Sequence, residues 1–391
     1  MSEIKLKHSG GNSVSIAAPS SNPASDRTLT LPSDGNGVIA KTDNSGNLTV
    51  SGNLTVSGNI NGGLLDSRRI NINGGLNVAQ RGTSFTGTSG PAFFADRYKV
   101  GFNTISAGTC TTSQQSLTSS DTPYAQGLRK YGRFALGQAG TAAGGSFIEV
   151  LHKFEGQDIN ASGWDHTSSS SNITVSFWFR CSTNQTFYAN LRSRDGTSQV
   201  YTFSFTATGN NTWTKITKTI PGNANVQIDN DNGNGLDFRI WIFLGTDGTN
   251  STGSVTLDQW RTYASATRVP DMATTWLTAG ASTFDVTGIQ FEVGNVATDF
   301  DNKSYGEEML LCKRYYQKID QTLYGCAYST GSGFVHHYHC PEMRATPSFT
   351  YTGRATSTGF NHASYSNHKI FQCIMSHLSS YLQGAVWDAE L

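Results

Sequence analysis

The sequence predicts a mainly β chain: a small N-terminal β unit, a short intertwined β shaft, a jelly-roll β-sandwich and an α+β tip. Three observations carry that prediction. Apolar and polar residues alternate with period two in many short segments, such as Ile173–Phe179 and Tyr201–Phe205, giving each one buried and one wet face. Glycine is abundant at 42 of 391 residues and proline scarce at 9, a composition that favours short strands joined by tight turns. Residues 47–64 repeat a hexad, Asn-Leu-Thr-Val-Ser-Gly, in phase with the same alternation.

Residues 1–45 read as the first unit, with strands at Ile4–His8, Val14–Ile16 and Arg27–Leu31. The last is stopped by Pro32 and the turn over 33–37. The unit is too small for a large core, so it must dock onto something or onto its own copies. Residues 46–78 read as the shaft. Leu48, Val50, Leu54, Val56, Ile60 and Leu64 share one face, which one copy is too short to bury, so the segment predicts a homo-oligomer. The pentapeptide Ile60–Leu64 recurs at Ile72–Leu76, two hexads on. A flexible linker is the competing reading, but linkers do not keep Leu and Val in strict alternation.

Residues 79–303 read as the sandwich. Strands are predicted at Phe147–Phe154, Ile173–Arg180, Val200–Ala207, Thr212–Ile220, Leu236–Leu244, Ser254–Tyr263 and Thr283–Glu292. Residues 304–391 read as the tip. Ser304 and Glu307 have capping-box spacing and predict a helix over 304–320, with Tyr305, Met309, Cys312 and Tyr316 on one face. Strands are predicted beyond it at Gly333–Cys340, Ser348–Tyr351, Lys369–His377 and Gln383–Trp387.

Charge and motifs narrow the function. Charged residues make up only 14%, with 28 cations against 28 anions, so no basic field is expected to hold nucleic acid or an anionic membrane. No run approaches the ~20 apolar residues that span a bilayer. Met1–Gly10 lacks the apolar stretch of a secretory signal. The six cysteines lack CxxC spacing and are expected to be buried free thiols. The chain has no GxSxG elbow, HExxH or P-loop, so it is not expected to be an enzyme.

Several stretches resemble tail fibres of tailed bacteriophages, especially marine phages and cyanophages. Residues 4–19 with Thr28–Pro32 and the Gly-Asn-Leu-Thr-Val repeat resemble their attachment segment. Asn77–Gly82 with Ala95–Tyr98 resembles the opening of a carbohydrate-binding-module-like jelly roll. Gln290–Gly294, Ala297–Phe300, Tyr305–Glu308 and Leu311–Tyr316 resemble, in that order, the junction of sandwich and tip, and Met343–Pro347 resembles a tip strand entry. The resemblance implies a homotrimeric, non-enzymatic virion protein. Residues 1–45 would join a tail, baseplate or adaptor protein, and the distal domains would meet a host-surface glycan or protein. A capsid-attached or connector fibre and a polysaccharide depolymerase are the alternatives.

Candidate sites follow from residue chemistry. Sugar binding needs aromatic faces flanked by hydrogen-bonding groups, which Trp164-Asp165-His166, Tyr188 with Arg192, and the stretch of His362, Tyr365 and His368 supply. Trp178, Trp213, Trp241 and Trp260 lie in predicted strands and are expected in the core. No cofactor is expected beyond a structural metal ion. His337 and His339 share a strand face and would suit a transition metal on a trimer axis. Asp229 and Asp231 offer oxygens for calcium, with an ordinary turn as the plain alternative, and Asp258 is a second calcium candidate by resemblance.

Overall fold

The computed structural model describes residues 3–7, 9–11, 13–17, 69–87, 89–106, 109–250, 255–329, 332–354, 368–375 and 379–391. The hexads and their interface residues, the predicted strand at 27–31, His362 and Tyr365 lie outside the described residues. The chain divides into Met1–Asn59 and Ile60–Leu391. In the first unit, β1 (Glu3–Lys7) and β2 (Ser13–Ala17) pair antiparallel, with Ile4 opposite Ile16 and Leu6 opposite Val14.

The second unit opens with the sandwich. Its strands are β3 (Ser84–Gly87), β4 (Gly90–Ala95), β5 (Tyr98–Ser106), β6 (Cys110–Ser116), β7 (Lys130–Leu136), β8 (Thr141–Glu155) and β9 (Asn172–Cys181). There follow β10 (Asn184–Ser193), β11 (Gln199–Thr208), β12 (Thr214–Pro221), β13 (Asn234–Leu244), β14 (Thr249–Asn250), β15 (Trp260–Thr262), β16 (Val269–Pro270) and β17 (Ser282–Val293). A seven-stranded sheet of order β15-β11-β10-β13-β8-β5-β4 faces a six-stranded sheet of order β12-β9-β17-β7-β6-β3. The alternation predicts the burial. On β9, Ile173, Val175, Phe177, Phe179 and Cys181 all point into the core. Rings from the two sheets interlock: Phe177 meets Phe205 at 5.2 Å and Phe238 meets Phe291 at 4.9 Å, both edge-on. Edge-on pairs of this kind add ~0.5–1.5 kcal/mol each beyond the area they bury.

Two expectations change here. The strand expected over 254–263 shortens to β15, because Asp258 adopts a left-handed φ of 64° and breaks the extended run. The hexad echo at 72–76 is not extended shaft. Asn73 and Leu76 have φ near +58° and +57°, and the segment wedges against the bulge of β17 between Thr287 and Gln290. Asn71 Nδ2 donates to Ile289 O at 2.8 Å and to Tyr98 Oη at 2.9 Å, while Asn71 Oδ1 accepts from Phe291 N at 2.9 Å. A Cβ on Gly74 would stand 1.9 Å from Ile289 O, so only glycine lets the backbones meet.

The tip contains α3 (Tyr305–Lys313), preceded in the chain by the short α1 (Gly156–Ala161) and α2 (Thr275–Thr278) of the sandwich. Its strands are β18 (Tyr316–Ile319), β19 (Leu323–Ser329), β20 (Ser332–Tyr338), β21 (Ser348–Thr350), β22 (Gly353–Arg354), β23 (Ile370–Met375), β24 (Ser379–Gln383) and β25 (Ala385–Asp388). They form a β18-β25-β21 sheet and a β22-β24-β19-β20-β23 sheet. The capping box at Ser304 and Glu307 forms as predicted. The helix, however, ends at Lys313 rather than 320. Tyr315 is buried beneath the Arg97 guanidinium, 3.4 Å from its ring centroid, and Tyr316 begins β18 beneath Arg81. Of the expected apolar face, Cys312 and Tyr316 are buried and Met309 is half-buried, but Tyr305 is 59% exposed and Glu308 is buried on the helix instead. Arginines dock tip and sandwich together. Arg69 pairs with Glu308, Arg81 with Asp388 and Glu390, Arg97 with Glu390, and Arg314 with Glu155 at 2.8 Å.

Candidate functional site

Alternation on β10 places Phe187, Ala189 and Leu191 in the core and turns Tyr188, Asn190 and Arg192 outward. Directly opposed residues of neighbouring strands share a face. Tyr188 lies opposite Trp241 and, through it, Glu149. Asn190 lies opposite Arg239, and Arg192 opposite Asp237, which in turn faces Lys153. On the other flank, Arg261 of β15 stands opposite Val200, itself opposite Arg192. The outer face of the seven-stranded sheet thus gathers residues spread from 149 to 268 along the chain.

Arg239 is the hub. Its Nη1 donates to Glu149 Oε2 at 2.8 Å and its Nη2 to Asp237 Oδ2 at 3.1 Å. Burial pushes the Glu149 carboxyl above the usual carboxylate range, against the pull of Arg239. The Arg192 guanidinium stacks 3.4 Å above the Tyr263 ring centroid; burial, then the neighbouring Arg194 charge, lowers its pKa. Residues 264–272 cross part of this face. Arg268 O accepts from Thr202 Oγ1 at 3.1 Å and Arg261 Nη2 at 2.9 Å, and the Arg268 guanidinium lies 5.7 Å from the Trp241 ring centroid. Val269 buries against Trp241, beside half-buried Tyr188, Phe147 and Met272. Tyr188, Arg192, Arg239, Arg261, Tyr263 and Arg268 all remain partly accessible. Glu149, Asp237 and Asn190 lie buried beneath them, so the accessible groups are aromatic carbon and cations, which can meet the CH face and oxygens of a sugar.

The candidate residues scatter. Tyr188 and Arg192 belong to this face, on a central strand rather than a loop. Trp164 does not: it is 3% exposed, part of the main core, and its Nε1 donates to Ser171 O at 3.3 Å. Its loop folds back so that the ring points inward. Asp165 stays exposed and is held by the Thr167 hydroxyl at 2.7 Å, while His166 packs edge-on against Trp164. His368 is half-exposed, 3.9 Å from Glu342. Trp213 and Trp241 are buried as expected, but in clusters on the outer faces of the sheets, whereas Trp178 and Trp260 are half-buried.

The metal candidates hold other roles. His337 Nε2 and His339 Nδ1 both contact Gln317 Oε1, at 3.3 and 3.2 Å, and His337 stacks on Trp387 at 4.4 Å. A carbonyl oxygen only accepts, so His337 Nε2 and His339 Nδ1 carry the protons and the lone pairs sit on His337 Nδ1 and His339 Nε2. Asp231 Oδ1 accepts from Gly233 N at 2.8 Å in the turn before β13, Asp229 N donates to Asp195 Oδ2 at 2.8 Å, and Asp258 pairs with Lys218 at 2.7 Å. Among the described residues, no three His, Cys, Asp or Glu side chains gather as a metal cage. Cys110, Cys181 and Cys312 are buried free thiols, but Cys340 is exposed.

Arg194, Arg239, Arg261, Arg268, Glu149 and Asp237 escaped the sequence reading. The signal available was Asp237 and Arg239 at outward positions of the alternating run Leu236–Ile242.

No family model and no curated protein matches the chain. Among solved structures, the enzymatically active domain of bacteriophage CBA120 tailspike protein 4 aligns over 51% of this chain and 19% of its own, at 6% identity and TM-score 0.28. The N-terminal cellulose-binding domain of Cellulomonas fimi β-1,4-glucanase C aligns over 57% of this chain and 95% of its own, at 10% identity and TM-score 0.26. A tandem CBM22 domain from Paenibacillus barcinonensis aligns over 74% and 84%, at 7% identity and TM-score 0.23. The chain is mainly β, and its largest body is a sandwich of a seven-stranded and a six-stranded sheet.

Proposed function

We propose that this chain is a homotrimeric virion fibre of a tailed phage that attaches to a host-surface glycan, held on the outer face of the seven-stranded sheet. Residues 1–45 join the virion, and the hexads join three copies through Leu48, Val50, Leu54, Val56, Ile60 and Leu64. One observation carries the glycan assignment. That face sets half-accessible Tyr188, Arg192 and Arg239 in a fixed cross-strand register over buried Asn190, Glu149 and Asp237, with half-accessible Tyr263 stacked on Arg192. Tyrosine rings offer apolar surface to a sugar ring, and the flanking guanidinium groups offer donors to its oxygens.

Binding without cleavage is the favoured chemistry. Glycoside hydrolysis needs a protonated acid and a free carboxylate flanking the bond. Here Glu149 and Asp237 share one arginine, and the Glu307 carboxylate is engaged by Ser304 N at 2.8 Å in the helix cap.

A glycan array probed with the full-length chain tests the proposal, alongside an assay for reducing ends released from any bound polysaccharide. The expected result is selective retention with no new reducing ends. Released product would replace the adhesin with a depolymerase. Retention of no glycan would leave a connector or capsid fibre.

A further inference from the structure

The outer face of the seven-stranded sheet carries an excess of positive charge, in a chain whose totals are equal. Among the described residues, Lys153, Arg192, Arg194, Arg239, Arg261 and Arg268 gather there around Glu149 and Asp237, with Asp271 near the Tyr188 end and Glu155, paired with Arg314, at the end of β8. Arg239 engages both of those carboxylates, and Arg194 reaches Asp237 only at 3.7 Å. Burial lowers the pKa of Lys153; Asp237 opposes this, and the like charges of Lys99, Arg194 and Arg239 add to it.

Several polar atoms on this face, all donors but one, are also unused. Among the described residues, the Nε atoms of Arg192, Arg239, Arg261 and Arg268 are buried without a hydrogen-bond partner, as are Trp241 Nε1 and Asn190 Oδ1. Trp241 is 1% exposed and Asn190 2%. Buried polar atoms left unpaired cost stability, and clustered cations repel, so closing a sandwich gives no reason to collect them. The opposite sheet shows the balanced arrangement. There Asp285 accepts from Arg133 at 2.8 Å and from Arg180 at 2.7 Å, and Arg180 reaches Asp121 at 2.9 Å.

Guanidinium groups bind carboxylate, sulfate or phosphate in paired hydrogen bonds, and of these arginines Arg261 has one Nη engaged, by Arg268 O. We infer that the glycan taken by this face is acidic, a polysaccharide bearing carboxylate, sulfate or phosphate groups that pair with the partly accessible Arg192, Arg261 and Arg268 while its sugar rings lie against Tyr188 and Tyr263. This rests on the glycan assignment above. Nucleic acid fits less well. Duplex DNA carries a charge every ~1.7 Å of axis and binds through long runs of cations, whereas the accessible cations here are a few arginines interleaved with Tyr188 and Tyr263.

Affinity electrophoresis of the full-length chain tests this, using gels of polygalacturonate, a sulfated galactan and a polyphosphate-linked glycan, each beside a neutral counterpart; carboxyl-reduced polygalacturonate serves for the first. The expected result is retardation by at least one acidic polymer, about tenfold stronger than by its neutral partner and weakened by added salt. Arg261→Gln should weaken it roughly three- to tenfold, and Arg261→Lys less. Arg194→Gln, at a side chain 34% exposed, gives a second variant that leaves packing intact. Equal retardation by acidic and neutral polymers would overturn the inference while sparing glycan binding. Duplex DNA retained as tightly as the acidic polymer would overturn it as a generic cationic surface. Retardation by none of the acidic polymers would overturn it too, and the neutral array then decides the glycan reading separately.

Discussion

Replacing Glu308 by alanine should loosen the joint between sandwich and tip. The Arg69 side chain is fully buried, and its guanidinium pairs with the Glu308 carboxylate, which also accepts from Asn73 N. Glu308→Ala strands that cation. Breaking a buried ion pair by removing one partner costs ~3–5 kcal/mol. Asn71 O at 3.0 Å and Asp301 O at 3.2 Å still accept from Arg69, which sets the lower end, about 3 kcal/mol. The orphaned Asn73 N–H adds about 1 kcal/mol. An unfolding entropy of ~2.1 cal/mol/K per residue, over Ile60–Leu391, gives about 0.7 kcal/mol/K, so a loss of about 4 kcal/mol lowers the melting temperature by about 6 °C. Differential scanning calorimetry reads this directly. The double change Arg69→Met with Glu308→Leu should recover more than half, because no charge is left buried. A Glu308→Ala protein that melts within about 1 °C of the parent would refute the reasoning, as would a tip transition that shifts while the sandwich transition stays fixed.

Three further outcomes are expected. Trp164→Ala should destabilise by ~3–5 kcal/mol as a core truncation, whereas Tyr188→Ala, at a half-accessible ring, should cost less stability and weaken glycan retention; thermal melts and array binding compared for the two variants check this. Burial, then the neighbouring His337, lowers His339 to about 4 from an unfolded value near 6.5, so the stability it contributes is complete above pH ~6.5 and is lost as pH falls towards 4. Denaturant titrations across that range should show an acid loss of up to about 3 kcal/mol, and His339→Gln should flatten it. Light scattering should give three times 42.1 kDa, about 126 kDa, for the full chain, and Leu54→Asp should lower that mass towards a single chain if the hexads join the copies.

Much of the sandwich was legible because its physics is local. Period-two alternation on Ile173–Phe179 and Tyr201–Phe205 marks the residues that enter the core, and the capping box at Ser304 marks where α3 begins. The failures lie where a distant partner decides. Helical spacing carries past Lys313, but Tyr315 and Tyr316 are taken by Arg97 and Arg81, more than 200 residues earlier. Ile72–Leu76 keeps the hexad's letters, yet β17 offers Asn71 and Gly74 a bulge to lock into. Trp164 reads as an exposed loop aromatic because nothing local shows its loop closing onto Ser171. The candidate face was half legible for the same reason. Tyr188 and Arg192 stand out on one strand, but Glu149, Arg239, Arg261 and Arg268 join them only through strand register, and balanced overall charge hides their local excess.

Hydrogen–deuterium exchange of the full-length chain, with and without the polysaccharide it retains most strongly, tests most directly where the glycan lies. Protection concentrated in 188–194, 237–241 and 261–268 is the predicted result. Protection confined to the 162–168 loop or to the tip, with this face unchanged, would contradict it.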